Sequence, residues 1–264
     1  MSHRAPRSSL FMPSYFSKTS RLGRVNTGSV AQRLADTPGV ARTILGAARA
    51  ARGMPGADPR AMSHSWLFTG PPGSGRSLAA IDFAAALMCT DPEEPGCGRC
   101  EACRAVLETK QHTDLVLVDP QEVIIPVDTV REVIGRAASL PTVAPWRVVI
   151  FNNADRLNNN GANALLKTVE EPPARTVIIM CAPSDAPEDF SQTLRSRCRH
   201  LYIPSPSVES ITAQLVSEGA SDHDAHLAAL TSLRHVGRAR RLVNDPAVQK
   251  RRAVAINLAE EVFH

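Results

Sequence analysis

The sequence predicts an α/β fold: a P-loop core on a parallel sheet, carrying a four-cysteine insertion and followed by a small helical lid. Three observations predict it. A glycine loop lies between a short apolar run and a helical pattern, further apolar runs alternate with helical stretches, and four cysteines cluster within fifteen residues. The loop is Gly70-Pro71-Pro72-Gly73-Ser74-Gly75-Arg76-Ser77. Residues 65–69 before it read as a buried strand, and residues 77–81 open a helical pattern that runs to Met88. Strand, loop and helix in that order are the context a phosphate-binding P-loop requires; the other reading is a Gly/Pro turn without a ligand.

In a working P-loop the glycines let backbone N–H groups close around phosphates, a lysine meets the β- and γ-phosphates, and Ser or Thr binds Mg²⁺. Arg76 stands at the lysine position. Its planar fork keeps the charge but not the compact point contact. Gly70, Gly73, Gly75, Arg76 and Ser77 are therefore expected to form a vestigial nucleotide site, able at most to hold ATP or ADP and poor at hydrolysis. The apolar run 147–151 ends at Asn152-Asn153, where a Walker B strand carries an Asp for Mg²⁺ and a Glu that activates water. An amide neither holds the metal by charge nor takes the proton. A shifted register would make Asp155 the acid instead.

Cys89, Cys97, Cys100 and Cys103 form a C-x7-C-x2-C-x2-C pattern with Pro95, Gly96 and Gly98 between them. Four thiolates at such spacing suit a closed tetrahedral zinc site, structural because no position is left for water. Two disulfides are the rival reading, which the absence of a secretory signal disfavours. Cys181 and Cys198 are expected to be buried thiols rather than ligands.

At 264 residues the chain is long enough for about two domains. With 30 basic against 26 acidic side chains, no face is obliged to bind nucleic acid by charge alone. Aromatic residues make up 4%, which disfavours a stacking platform for single strands. No apolar run approaches the roughly 20 residues of a membrane span, so the expectation is a soluble cytoplasmic protein. Residues 1–27 hold six Ser, five Lys or Arg and no acid, a disordered basic tail by composition; an over-extended gene start is favoured over a targeting peptide. Val30, Leu34, Val40, Ile44, Leu45 and Ala48 suggest packed helices. Strands are expected near Trp66, Leu117, Val149, Ile178 and Tyr202. The core thus spans 28–203, with the zinc module at 89–103. Pro204-Ser205-Pro206-Ser207 ends it, with Ser207 as N-cap and Glu209 in the first turn of a helical lid over 204–264.

Two more strings make the resemblance specific. Residues 161–173 read Gly-Ala-Asn-Ala-Leu-Leu-Lys-Thr-Val-Glu-Glu-Pro-Pro, and residues 194–198 read Leu-Arg-Ser-Arg-Cys. With the P-loop and the cysteine module, these resemble the bacterial clamp-loader subunits of DNA polymerase III, an AAA+ family, from about Gly28 to about Asn244. Degenerate nucleotide motifs beside an intact Ser-Arg-Cys mark its delta-prime branch rather than the gamma/tau motor branch.

The resemblance implies a non-hydrolysing subunit of a hetero-oligomeric clamp loader, with gamma/tau and delta subunits as partners and the sliding clamp and primed DNA reached through the complex. It implies that Arg197 is an arginine finger acting in trans on a neighbour's γ-phosphate; the plain alternative is a solvated cation between Arg195 and Arg199. Gly237-Arg238-Ala239-Arg240 matches a sensor-2 helix, placing Arg240 toward the vestigial site, although a solvated basic face explains it nearly as well. At sensor 1, where active relatives place Thr or Asn, the chain reads Cys181-Ala182-Pro183-Ser184. A third, collar domain of the family is not expected within this length. Two other functions compete. An active gamma/tau-type ATPase would need Arg76 and Asp155 to substitute for the usual groups, and a P-loop kinase is opposed by the string at 163–173 and by the cysteine module.

Overall fold

A computed structural model describes residues 28–120, 122–248 and 250–251. The expected tail over 1–27 and the end of the C-terminal helical stretch, 252–264, lie outside the described residues. Five strands form one parallel sheet: β1 (Ser65–Thr69), β2 (Leu115–Val118), β3 (Arg147–Phe151), β4 (Thr176–Ala182) and β5 (Arg199–Tyr202), in the order β2-β3-β4-β1-β5. They fall where the apolar runs place them. β1, β3 and β4 are buried along their whole length, as expected of inner strands covered on both faces. β5 closes one edge and is largely exposed.

Helices cover both faces. α1 (Val30–Arg33), α2 (Pro38–Ala51) and α3 (Arg76–Met88) pack on one, with α4 (Glu101–Arg104) and a π-helical turn at Ala105–Thr109 beside α3. α5 (Val127–Ala137) and α6 (Asn159–Glu170) pack on the other. The strand period of two divides the core: Trp66 and Phe68 join the α3 side, while Leu67 between them joins the α5–α6 side. Ala79 to Met88 of α3 are all buried. A helix hydrophobic all round belongs inside, and here alanines at 79, 80, 84, 85 and 86 admit the sheet and α2 closely. Phe83 of α3 meets Trp66 edge-on at 5.1 Å between ring centroids.

α7 (Gln192–Arg195) is one short turn before β5. Beyond the sheet, α8 (Val208–Ser217), α9 (Asp222–Thr231) and α10 (Val236–Asn244) close around their own small cluster of Ile211, Leu215, Ala225, Ala228, Ala229 and Ala239. Ser207 caps α8, its hydroxyl accepting from the Ser210 N–H at 3.1 Å, and Glu209 lies in the first turn.

The strand order places the carboxyl ends of β1, β3 and β4 side by side. Ligands of open α/β sheets bind at such carboxyl ends, where the order of strands reverses. Three chain segments singled out by the sequence meet there: the glycine loop, Asn152-Asn153 and Cys181 to Ser184.

Candidate functional site

The glycine loop has the strand–turn–helix context. Gly75 takes φ +88° and is the N-cap of α3. A Cβ on Gly70 would fall 2.3 Å from the Ile203 carbonyl and 2.5 Å from Ser74 Oγ, so only glycine fits between the loop and the chain leaving β5. Arg76 does not extend out of this loop. Its Nη1 donates to the Gly70 carbonyl at 2.8 Å, closing the loop on itself, and Nη2 lies 3.5 Å from Asn153 Oδ1. Ser74 Oγ, Arg76 Nε and Asn152 Oδ1 are buried without a hydrogen-bond partner among the described residues. Such atoms cost about 1–3 kcal/mol each unless water or a ligand satisfies them.

The chemistry of the donor set divides. Backbone N–H groups at the start of α3 suit a phosphate. The acidic part of a Mg²⁺ site is missing, because Asn152 and Asn153 stand at the end of β3 where carboxylates would hold the ion, although Ser77 keeps the hydroxyl of the loop. Asn153 adopts φ 53°, a left-handed conformation that Asn tolerates better than most residues. Asp155 lies in the 3₁₀ turn Ala154–Arg156 that follows and is exposed.

Sequence reasoning did not single out His235. It is the N-cap of α10, its Nδ1 accepting from the Arg238 N–H at 3.3 Å, and it packs on the glycine loop. Arg240 on the same helix is engaged elsewhere: Nε and Nη2 grip the carboxylate of Glu218, at 3.0 and 2.5 Å, just past the end of α8. The residue of α10 that lies against the loop is thus the cap, while the arginine ties α10 to α8. A histidine cap about 160 residues from the loop leaves no sequence signal.

The four sulfurs of Cys89, Cys97, Cys100 and Cys103 lie within 4.8 Å of one another, and none is in a disulfide. A tetrahedral zinc with Zn–S bonds of about 2.3 Å requires sulfurs about 3.8 Å apart; Cys100 and Cys89 are 3.9 Å apart. The turns at Gly96 (φ +77°) and Gly98 (φ +73°) bring the ligands together. A hydrogen bond with Cys103 draws Cys89 down to about 4 against the effect of burial, while its partner Cys103 is pushed up. The cluster is tied to its surroundings: the Val30 N–H donates to the Gly96 carbonyl at 2.8 Å, Arg52 grips the Asp91 carbonyl, and Arg99 pairs with Asp91 at 2.8 Å. Cys181 is fully buried and Cys198 partly so; burial pushes both thiols up to about 12, as suits packing groups.

Arg197 lies in the turn between α7 and β5 and stays partly exposed. Its Nε donates to Glu170 Oε1 at 2.5 Å, and its Nη1 donates to the Thr193 carbonyl at 2.9 Å and to Ser196 Oγ at 3.2 Å. Its neighbours are committed differently. Arg195 pairs with Asp185 at 2.8 Å. Arg199 donates to the Arg60 and Ala61 carbonyls at 2.8 Å and lies 5.1 Å over the Trp66 ring.

A family model described as "DNA polymerase III, delta subunit" matches residues 57–207, from the approach to β1 to the cap of α8. A DNA polymerase III subunit delta-prime of Pseudomonas aeruginosa is 35% identical over 165 residues, covering 60% of this chain and 49% of that protein. The delta-prime subunit of Escherichia coli is 34% identical over 63% of this chain and 50% of its own length. A gamma/tau subunit of Mycobacterium tuberculosis is 33% identical over 64% of this chain and 30% of its own length. The chain spans about half the length of the delta-prime relatives it matches. With more than half of its residues inside the family match, and delta-prime subunits among its relatives, the chain belongs to the DNA polymerase III delta-subunit family in its delta-prime form.

Proposed function

We propose that this chain is a non-hydrolysing clamp-loader subunit of DNA polymerase III. It scaffolds a cytoplasmic complex with gamma/tau and delta subunits and supplies Arg197 in trans to ATP bound by a neighbour while a sliding clamp is loaded on primed DNA. The observation that carries the reading is the contrast between two sites. The chain's own phosphate loop is closed by Arg76 on Gly70 and has amides where a metal needs acids, yet Arg197 stands partly exposed and oriented. A guanidinium brought to a neighbour's γ-phosphate stabilises charge that develops in the transition state, an effect worth about 10³–10⁵ in rate in nucleotide hydrolases. The cysteine cluster holds a structural zinc that clips residues 89–103 to α1 and α3. A gamma/tau-type ATPase is disfavoured by the same asparagines, and no helix among the described residues is long and apolar enough to cross a membrane.

The test is ATP hydrolysis by the complex reassembled with Arg197→Ala. Assembly is expected to survive and DNA-stimulated hydrolysis to fall. Arg195→Ala is the clean control for lost surface charge. Arg199→Ala is a poor one, since Arg199 also fastens the segment before β1 and covers Trp66. Equal losses from Arg195→Ala and Arg197→Ala would reject the trans role.

A further inference from the structure

Among the five N–H groups of the Arg197 guanidinium, three are taken up by its own chain. Nε–H goes to Glu170, and the two hydrogens of Nη1 go to the Thr193 carbonyl and Ser196 Oγ. Nη2 has no partner among the described residues. The guanidinium is therefore held at two of its three nitrogens, Nε and Nη1, and Nη2 is the one left over for a further acceptor.

Local stability does not account for the carboxylate that holds it. Glu170 is the last residue of α6, where the helix dipole disfavours a negative charge. The pair is open to solvent, with side chains 37% and 46% exposed, and ion pairs of that kind contribute little to folding. The contact joins two segments far apart in the chain, the end of α6 and the turn before β5.

We infer that Glu170 is a positioning residue for Arg197. It fixes the guanidinium through Nε and leaves Nη2 for an anionic oxygen of a neighbouring subunit's nucleotide. The inference rests on the proposed trans role of Arg197 and adds to it the group that orients the finger. Without the carboxylate, a side chain with four rotatable torsions is anchored only by the two contacts of Nη1. The entropy of ordering it then falls on the catalytic step.

The experiment compares Glu170→Ala, Glu170→Gln, Arg197→Ala and the double substitution Glu170→Ala/Arg197→Ala in the complex reassembled with gamma/tau and delta subunits. Steady-state ATP hydrolysis is measured with clamp and primed DNA present. Glu170→Ala is expected to lower kcat about tenfold with KM for ATP unchanged, since a displacement of about 1 Å at a reacting centre costs up to about 10²-fold. Glu170→Gln retains an acceptor oxygen for Nε–H and should recover most of the rate. The double substitution should be no slower than Arg197→Ala alone, because both changes remove the same contribution. The melting temperature of the Glu170→Ala chain should match the unaltered chain.

An unchanged or raised kcat in Glu170→Ala, or an equal further loss in the Arg197→Ala background, overturns the inference. If Arg197→Ala slows the complex while Glu170→Ala does not, only the positioning role fails. If Arg197→Ala itself has no effect, the trans role and this inference fall together.

Discussion

His235, the first cap of α10, lies so close to Gly73 of the glycine loop that a Cβ on Gly73 would stand 2.5 Å from the imidazole Cγ and 2.6 Å from the His235 Cα. The contact joins the three-helix cluster to the phosphate loop, and backbone as well as side chain takes part. Gly73 also holds φ +89°, which L side chains rarely adopt.

Gly73→Ala should therefore destabilise the chain by about 1–3 kcal/mol through backbone strain and the forced retreat of α10. Urea unfolding of the purified chain measures it. Adding His235→Ala should restore only part of the loss, because the strained φ and the approach of the His235 Cα both remain. Full recovery in the double variant would mean that the imidazole alone set the clash.

Arg76 invites the substitution that would restore the motif. Arg76→Lys removes the bond to the Gly70 carbonyl and places an ammonium at the loop, yet Asn152 and Asn153 still supply no acid. The expected outcome is phosphate release from ATP indistinguishable from background for both the unaltered chain and Arg76→Lys. Adding Asn152→Asp should not reach the rate of a gamma/tau subunit either, since the sensor-1 place holds Cys181 and His235 covers Gly73. Turnover by the unaltered chain that disappears in Arg76→Ala would contradict the non-hydrolysing role.

The cysteine cluster should hold one zinc per chain, measured by elemental analysis of protein kept reduced. Because metal affinity is folding free energy for such a module, Cys97→Ser or Cys100→Ser should loosen 89–109 and α1, which hangs on Gly96 through the Val30 N–H, while β1 to β5 stay folded. Amide hydrogen exchange resolves the two regions. Since the ligands bind as thiolates, zinc should be released as pH falls. Stoichiometric zinc in a Cys97→Ser/Cys100→Ser double variant would exclude this site.

Much of this was legible in the residues. β1 to β4 carry continuous apolar runs, and strands buried on both faces leave that signature, whereas β5, Arg-His-Leu-Tyr at the exposed edge, does not. The glycine loop and cysteines announce themselves by spacing. What escaped is tertiary pairing between groups with no local pattern. His235 reads as a lone histidine, Glu170 as one acid in a Glu-Glu-Pro-Pro turn, and Arg240 gives no hint that Glu218 claims it. Asp114 looks like a loop acid before β2, and Arg147 like the polar first residue of β3. Only the fold reveals that they meet in the core.

That pair supports the final prediction. Asp114 is fully buried, its carboxylate accepting from the Thr142, Val143 and Ala144 N–H groups at 2.8–2.9 Å and from Arg147 Nη2 at 3.0 Å. Burial alone would raise its pKa, but the N–H groups of Ala144, Thr142 and Val143, with Arg147, outweigh it and hold the carboxyl well below the usual range. Arg147 in turn holds the Arg136 and Ser139 carbonyls at the end of α5. Asp114→Ala strands a buried guanidinium and three loop N–H groups, so the loss at pH 7 should be about 3–5 kcal/mol. Because the folded pKa is depressed, the contribution is complete above the unfolded value of about 3.9 and is lost as pH falls through the folded pKa. The gap in stability between the unaltered chain and Asp114→Ala, read from urea unfolding at several pH values, should therefore be widest near neutrality and narrow below about pH 4. A gap that stays constant from pH 7 to pH 3 would show that the ionised carboxylate is not what holds this corner of the sheet.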